Sequence, residues 1–155
     1  MAVFKFRLEF LLNLRRKREE EAAAKQAKRL KSIRELEAKI LDIEESRERL
    51  SSDLTRKGAE GGLTPALISL YGEYRAKLLQ DLRKADELLV LSQRELSKEQ
   101  AALRKAVTER QLMEKIKEKK QEIHKEEELR KEQNTLEEMA ALVKAHKARM
   151  ENDGN

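Results

Sequence analysis

Residues 58 to 65 read Gly-Ala-Glu-Gly-Gly-Leu-Thr-Pro, and they hold three of the five glycines and the single proline of the 155-residue chain. Residues 1 to 57 contain neither residue type, and residues 66 to 153 contain only Gly72. Glycine and proline are the strongest interrupters of helices, so this distribution predicts two long helices and one turn. The flanks agree. Arg56 and Lys57 stand where cations meet the negative end of a helix dipole. Gly58 suits a left-handed cap. Thr64 before Pro65 supplies an N-cap hydroxyl and a proline at the first helical position. No capping box follows, because Leu67 occupies the place a Glu would need.

The apolar period predicts how the helices pack. Ile33, Leu36, Ile40, Ile43, Arg47, Leu50 and Leu54 alternate spacings of three and four, a heptad seam with one polar position. The seam weakens at Ala22, Gln26 and Arg29 and recovers at Leu8, Leu11 and Leu12. In the second half Leu78, Leu82, Ala85, Leu89, Ser92, Leu96, Glu99, Leu103 and Ala106 keep the rhythm. The phase then drifts through Met113 and Ile116 to Ile123, as at a stutter. It resumes at Leu129, Leu136, Val143 and Met150, with Gln133 and Ala140 between them. The expected fold is all-α: an antiparallel coiled-coil hairpin forming one domain over residues 1–150. Helix 1 covers about 5–57, the turn 58–65 and helix 2 about 66–150, with a flexible tail at 151–155.

Counting back from the turn puts residue 57 near residue 66 and residue 4 near residue 119. The second helix then outruns the first by roughly 30 residues, a protrusion of roughly 45 Å in a rod on the order of 125 Å. Its stripe of Leu129, Leu136, Ala140, Val143 and Met150 is a partner surface, a self-association seam or a frayed segment. The alternative is a solvated helix held by Glu–Lys pairs, since residues 115 to 133 are densely charged.

Composition excludes much else. Charged residues make up 42% and aromatic residues 3%, too few large rings for a globular core of ordinary density. The absence of Cys removes thiol chemistry and zinc-finger spacing. No apolar run is long enough to span a bilayer. Charges interrupt the apolar residues of the opening segment, so it is not read as a secretory signal, and a cytoplasmic location is expected. A two-helix rod offers no concave pocket for catalysis, so no catalytic, metal-binding or cofactor-binding residues are assigned, and the chain is not read as an enzyme. His124 and His146 lie too far apart on one helix to share a metal unless two chains meet, and they are read as solvated positions.

Charge is uneven. Up to residue 57 there are 16 Lys or Arg against 11 Asp or Glu, whereas beyond it 19 meet 19. The excess gathers at Arg15, Arg16, Lys17, Arg18, Lys25, Lys28, Arg29 and Lys31, opposed by Glu19, Glu20 and Glu21. The patch is a solvated face or a steering surface for an acidic partner. Specific nucleic-acid binding is not expected, since no aromatic residues are interleaved for base stacking. Phe4, Phe6 and Phe10, with Leu8, Leu11, Leu12 and Leu14, are read as a cap packed on the region from Leu112 to Ile123, rather than as a helix lying on a membrane. Tyr71 and Tyr74 close the tip of the hairpin or, if exposed, serve a protein contact.

The opening Phe4-Lys5-Phe6-Arg7-Leu8-Glu9, with Leu11, Leu14, Arg15 and Glu19, resembles the start of the FliJ family of bacterial flagellar type III export. The segment Glu132-Gln133-Asn134-Thr135-Leu136-Glu137-Glu138-Met139-Ala140 is similar to that family's Glu-Gln-x-x-Leu-Asp-Glu-x-Ala, with Glu137 in place of Asp. Tyr74 and Leu78 fit its central pattern loosely. The resemblance implies a non-catalytic stalk that binds the hexameric export ATPase and links it to the membrane export gate and to substrate chaperones. It also implies a role in flagellum biogenesis, motility and chemotaxis, at the inner face of the cell membrane and held there only through partners. On this reading Arg15, Arg16, Arg18, Leu129, Gln133, Leu136, Glu137, Ala140 and Val143 face the ATPase. Tyr71, Tyr74 and Leu78 face the gate or the chaperones. The rival readings are the stalk of an injectisome type III secretion system, and a generic structural or nucleic-acid-binding coiled coil.

Overall fold

A computed structural model describes residues 2–154 of the chain. Two α-helices make up the fold, α1 at Glu9–Ala59 and α2 at Pro65–Asp153, and no strand occurs among the described residues. They form a helical hairpin whose second arm is the longer. Contacts divide the chain into two units, Arg18–Ala106 and a second made of Met1–Lys17 with Val107–Asn155.

In the unit Arg18–Ala106 the expected seam is the core. Ile33, Ile43 and Leu50 of α1 are buried, and Leu36, Ile40, Arg47 and Leu54 are half-buried. On α2 Leu78 and Ala85 are buried, while Leu82, Leu89, Ser92, Leu96, Glu99 and Leu103 are half-buried. Ile43, Leu50 and Leu78 cluster, with Tyr71 and Leu82 packed against them. Alternating steps of three and four keep these side chains on one stripe of each helix, and their removal from water drives the pairing.

The turn ends α1 with a Schellman motif. Gly62 N donates to Lys57 O at 3.0 Å and Gly61 N to Gly58 O at 3.4 Å. Gly61 has φ +75°, where an L side chain is strained. The left-handed cap is therefore Gly61 and not Gly58, because α1 continues to Ala59. Gly58 has another use: a Cβ there would meet Leu63 Cδ1 at 3.3 Å, so the bare backbone lets Leu63 fold back on the helix. Thr64 caps α2 as expected, its Oγ1 accepting from Leu67 N at 3.2 Å.

Register differs from simple counting. Lys57 Nζ lies over the ring of Tyr71, 5.5 Å from its centroid, not opposite residue 66. The first turn of α2 overshoots the end of α1, leaving Pro65, Ala66 and Ile68 to Leu70 exposed. In the other unit Phe4 meets His124 rather than a position near 119, so more of α2 is covered than counting allows and the bare segment is shorter. Every described residue from Leu129 onward is exposed.

The N-terminal segment departs from helix earlier than expected. Residues 2 to 6 are irregular, and α1 opens at Glu9, where Glu9 N donates to Phe6 O at 3.1 Å. The irregular strap lies along α2: Phe6 is buried beneath Lys120 Nζ, 6.0 Å from the ring centroid, and Phe4 packs on His124. At the other end α2 remains helical to Asp153, into the stretch expected as tail.

Candidate partner-binding surface

The surface sits in the unit of Met1–Lys17 and Val107–Asn155. Its base is polar. Arg15 pairs with Glu109, Arg16 Nη2 lies 3.6 Å from Glu114 Oε1, and Lys117 Nζ lies 2.8 Å from Glu9 Oε2. Arg110 Nη1 donates to Glu114 Oε2 at 2.7 Å, so Glu114 serves two arginines. These charges flank a thinned apolar seam where the phase drift was read, since Met113 and Ile116 are half-buried among them. Half-buried residues of α2 here include Val107, Met113 and Ile116 together with Arg110, Lys117, Gln121, His124 and Glu128, whereas Leu112 and Ile123 point to water. Long side chains achieve this by laying their methylenes along the seam and holding the charge at its rim.

The strap closes the base. His124 Nε2 lies 3.2 Å from Ala2 O, and the rings of Phe4 and His124 are 5.6 Å apart and tilted 46°. His124 is therefore half-buried against the strap rather than solvated, while His146 is exposed. Glu128 is held below the ordinary carboxylate range chiefly by the hydrogen bond from Lys131; burial opposes this, and smaller effects of the Lys131 and His124 charges and the Ala2 backbone N–H add to the lowering. Only part of the phenylalanine cluster forms the expected cap. Leu12 is fully buried, but Phe10 is 76% exposed and Leu11 is exposed as well.

Beyond Glu128 nothing of α1 or the strap stands over the helix except beside Leu129 and Glu132, which line a shallow groove with Ala2 and Phe4. Leu129, Leu136, Met139, Val143 and Met150 are 57–66% exposed on one stripe. Met139, three residues after Leu136, was missed by the seven-residue spacing, although the step of three was visible. Gln133, Glu137 and Ala140 are exposed beside it. Two of the expected arginines are engaged within the chain, Arg15 with Glu109 and Arg16 with Glu114. Arg18 is exposed and belongs to the other unit.

The second expected surface is in the unit Arg18–Ala106. Tyr74 is exposed together with Ile68 and Leu70, and Tyr71 is half-buried under Lys57. Leu78 is in the core with Ile43 and Leu50, so a partner would reach it only by opening the seam.

The family model of the flagellar FliJ protein matches residues 4–149 of the chain. The chain belongs to the FliJ family. No curated protein and no solved structure matches it. As a FliJ-family member it is a coiled-coil protein associated with flagellar protein export, in a family of non-catalytic export components. Among the described residues no group of three or more His, Cys, Asp or Glu is placed to hold a metal, and no helix is long and apolar enough to cross a membrane.

Proposed function

We propose that this FliJ-family chain works in flagellar export as a non-catalytic connector, presenting the exposed end of α2 to the hexameric export ATPase and a separate surface to the export gate or the substrate chaperones. The observation that carries this reading is the stripe from Leu129 to Met150, a helix face with large apolar side chains and no covering element of its own. Such faces on soluble helices mark contacts with other molecules. Gln133, Glu137 and Ala140 border the stripe and supply its polar rim. Arg15 and Arg16, although engaged with Glu109 and Glu114, remain 31% and 45% exposed in their side chains, enough to meet an acidic partner. Tyr74, with Leu67 and Leu70, forms the apolar surface assigned to the gate or chaperones, and Tyr71 flanks it. Association with the membrane then runs through these partners.

The test is a pull-down of the export ATPase by Leu136→Asp with Val143→Asp. Loss of the ATPase with unchanged helicity by circular dichroism is expected. Retention at the wild-type level would remove the assignment.

A further inference from the structure

The exposed end of α2 carries a second pattern, in its charges. Its stripe follows a heptad series, Leu129, Glu132, Leu136, Met139, Val143, His146 and Met150, with alternating steps of three and four, apolar at all positions but Glu132 and His146. Around it the charges come in four blocks. Arg130 and Lys131 are basic, Glu132 to Glu138 acidic, Lys144 to Arg149 basic, and Glu151 with Asp153 acidic. The order inverts sign about Ala141. Reflection through that residue carries Lys131 to Glu151, Glu138 to Lys144 and Arg130 to the level of Asp153. A helix with this property is complementary to its own copy running in the opposite direction, and repels its copy in parallel alignment.

We infer that the end of α2 pairs with the same segment of a second copy of this chain, antiparallel and centred on Ala141. In this register Met139 of one copy packs beside Val143 of the other, twice across the two-fold axis, and Leu136 beside His146. Glu137 comes beside Lys147 of the second copy on one flank and Glu138 beside Arg149 on the other. The charges thus select the direction of pairing. The contact is isologous and closes at two chains. It uses only residues that are exposed here and leaves the seam around Ile43, Leu50 and Leu78 untouched. The apolar stripe is the one assigned to the ATPase, so a paired chain hides it from that partner.

The chain has no cysteine, so single-cysteine variants report one position each. In the full-length chain Ala140→Cys lies almost on the two-fold axis, whereas two copies of Met150→Cys lie about 27 Å apart by helical rise. With a short bis-maleimide, Ala140→Cys is expected to give covalent dimers and Met150→Cys to give few, at least tenfold less. Adding Val143→Asp to Ala140→Cys should suppress the dimer at unchanged helicity. Light scattering on the unmodified chain should show a mass rising from one chain toward two with concentration. A single-chain mass at every concentration without Ala140→Cys cross-linking would overturn the inference, as would equal cross-linking at both positions, which signals parallel alignment. The assay contains only this chain, so its failure leaves the ATPase reading standing, and an ATPase that ignores the Leu136 and Val143 substitutions leaves the self-pairing standing.

Discussion

Arg29 crosses the hairpin to Glu99 and spends two donors on one oxygen: Nε lies 3.3 Å and Nη2 3.2 Å from Glu99 Oε1. The other oxygen, Oε2, is buried and has no hydrogen-bond partner. A carboxylate taken out of water and half satisfied loses solvation that one crowded oxygen does not fully restore. Arg29→Leu with Glu99→Leu should therefore raise stability, by about 1–3 kcal/mol, since apolar replacement of a poorly satisfied pair is often favourable. Thermal unfolding followed by circular dichroism reads it. A lower midpoint for the double variant than for the parent would show that the pair is a net support.

The two turn glycines should respond differently. Gly61 holds φ +75°, so Gly61→Ala should cost about 1–2 kcal/mol. At Gly58, within α1, an added methyl meets only the far end of Leu63 and gains helix propensity. Gly58→Ala should stay within about 0.5 kcal/mol of the parent. Urea denaturation of both variants separates the two positions.

Among the phenylalanines, only burial should matter. Phe6→Ala removes a buried ring and should cost about 3 kcal/mol, at the low end for such a deletion because the strap can relax. Phe10→Ala should change stability by no more than about 0.5 kcal/mol. Equal effects at the two positions would contradict the strap geometry.

Glu128 should titrate below the ordinary carboxylate range, since the Lys131 hydrogen bond leads the effects that hold its carboxyl down. A carboxyl whose folded pKa is depressed adds stability above its unfolded pKa and loses it as pH falls through the folded one. The strap, which places Ala2 against Glu128 and His124, should loosen in that acidic window. Carboxyl chemical shifts followed from neutral to acidic pH, with amide exchange in residues 2 to 6, test both statements. Lys131→Gln should move Glu128 back toward the ordinary range.

The hairpin was legible because few residue types carry it. One cluster of glycine and proline located the turn, and Ile33 through Leu54 with Leu78 through Ala106 kept a rhythm that only a paired helix explains. After Ala106 the drift was followed correctly through Met113 and Ile116, which are half-buried, but not at Ile123, which is exposed, and for a physical reason. Beyond Ile116 the half-buried positions are Lys117, Gln121, His124 and Glu128. Apolar periodicity is blind to a seam built from the stems of long polar side chains. Register was misjudged because a Schellman turn keeps α1 helical to Ala59, and α2 then starts beyond it. Of the surface residues, the exposed stripe could be read in advance because an apolar heptad without an opposite number is visible by subtraction. Leu78 could not be told from a contact residue, since core leucines and docking leucines follow the same spacing.

The uncovered length of α2 has a further consequence, for turnover. Its backbone hydrogen bonds are those of a single helix with no tertiary packing behind them, so it opens at little cost. Arg130, Lys131, Lys144, Lys147 and Arg149 stand exposed along it, each a site for a trypsin-like protease. Digestion should begin there and stall at the strap, and any molecule that sheathes the segment should lengthen the life of the chain that carries it.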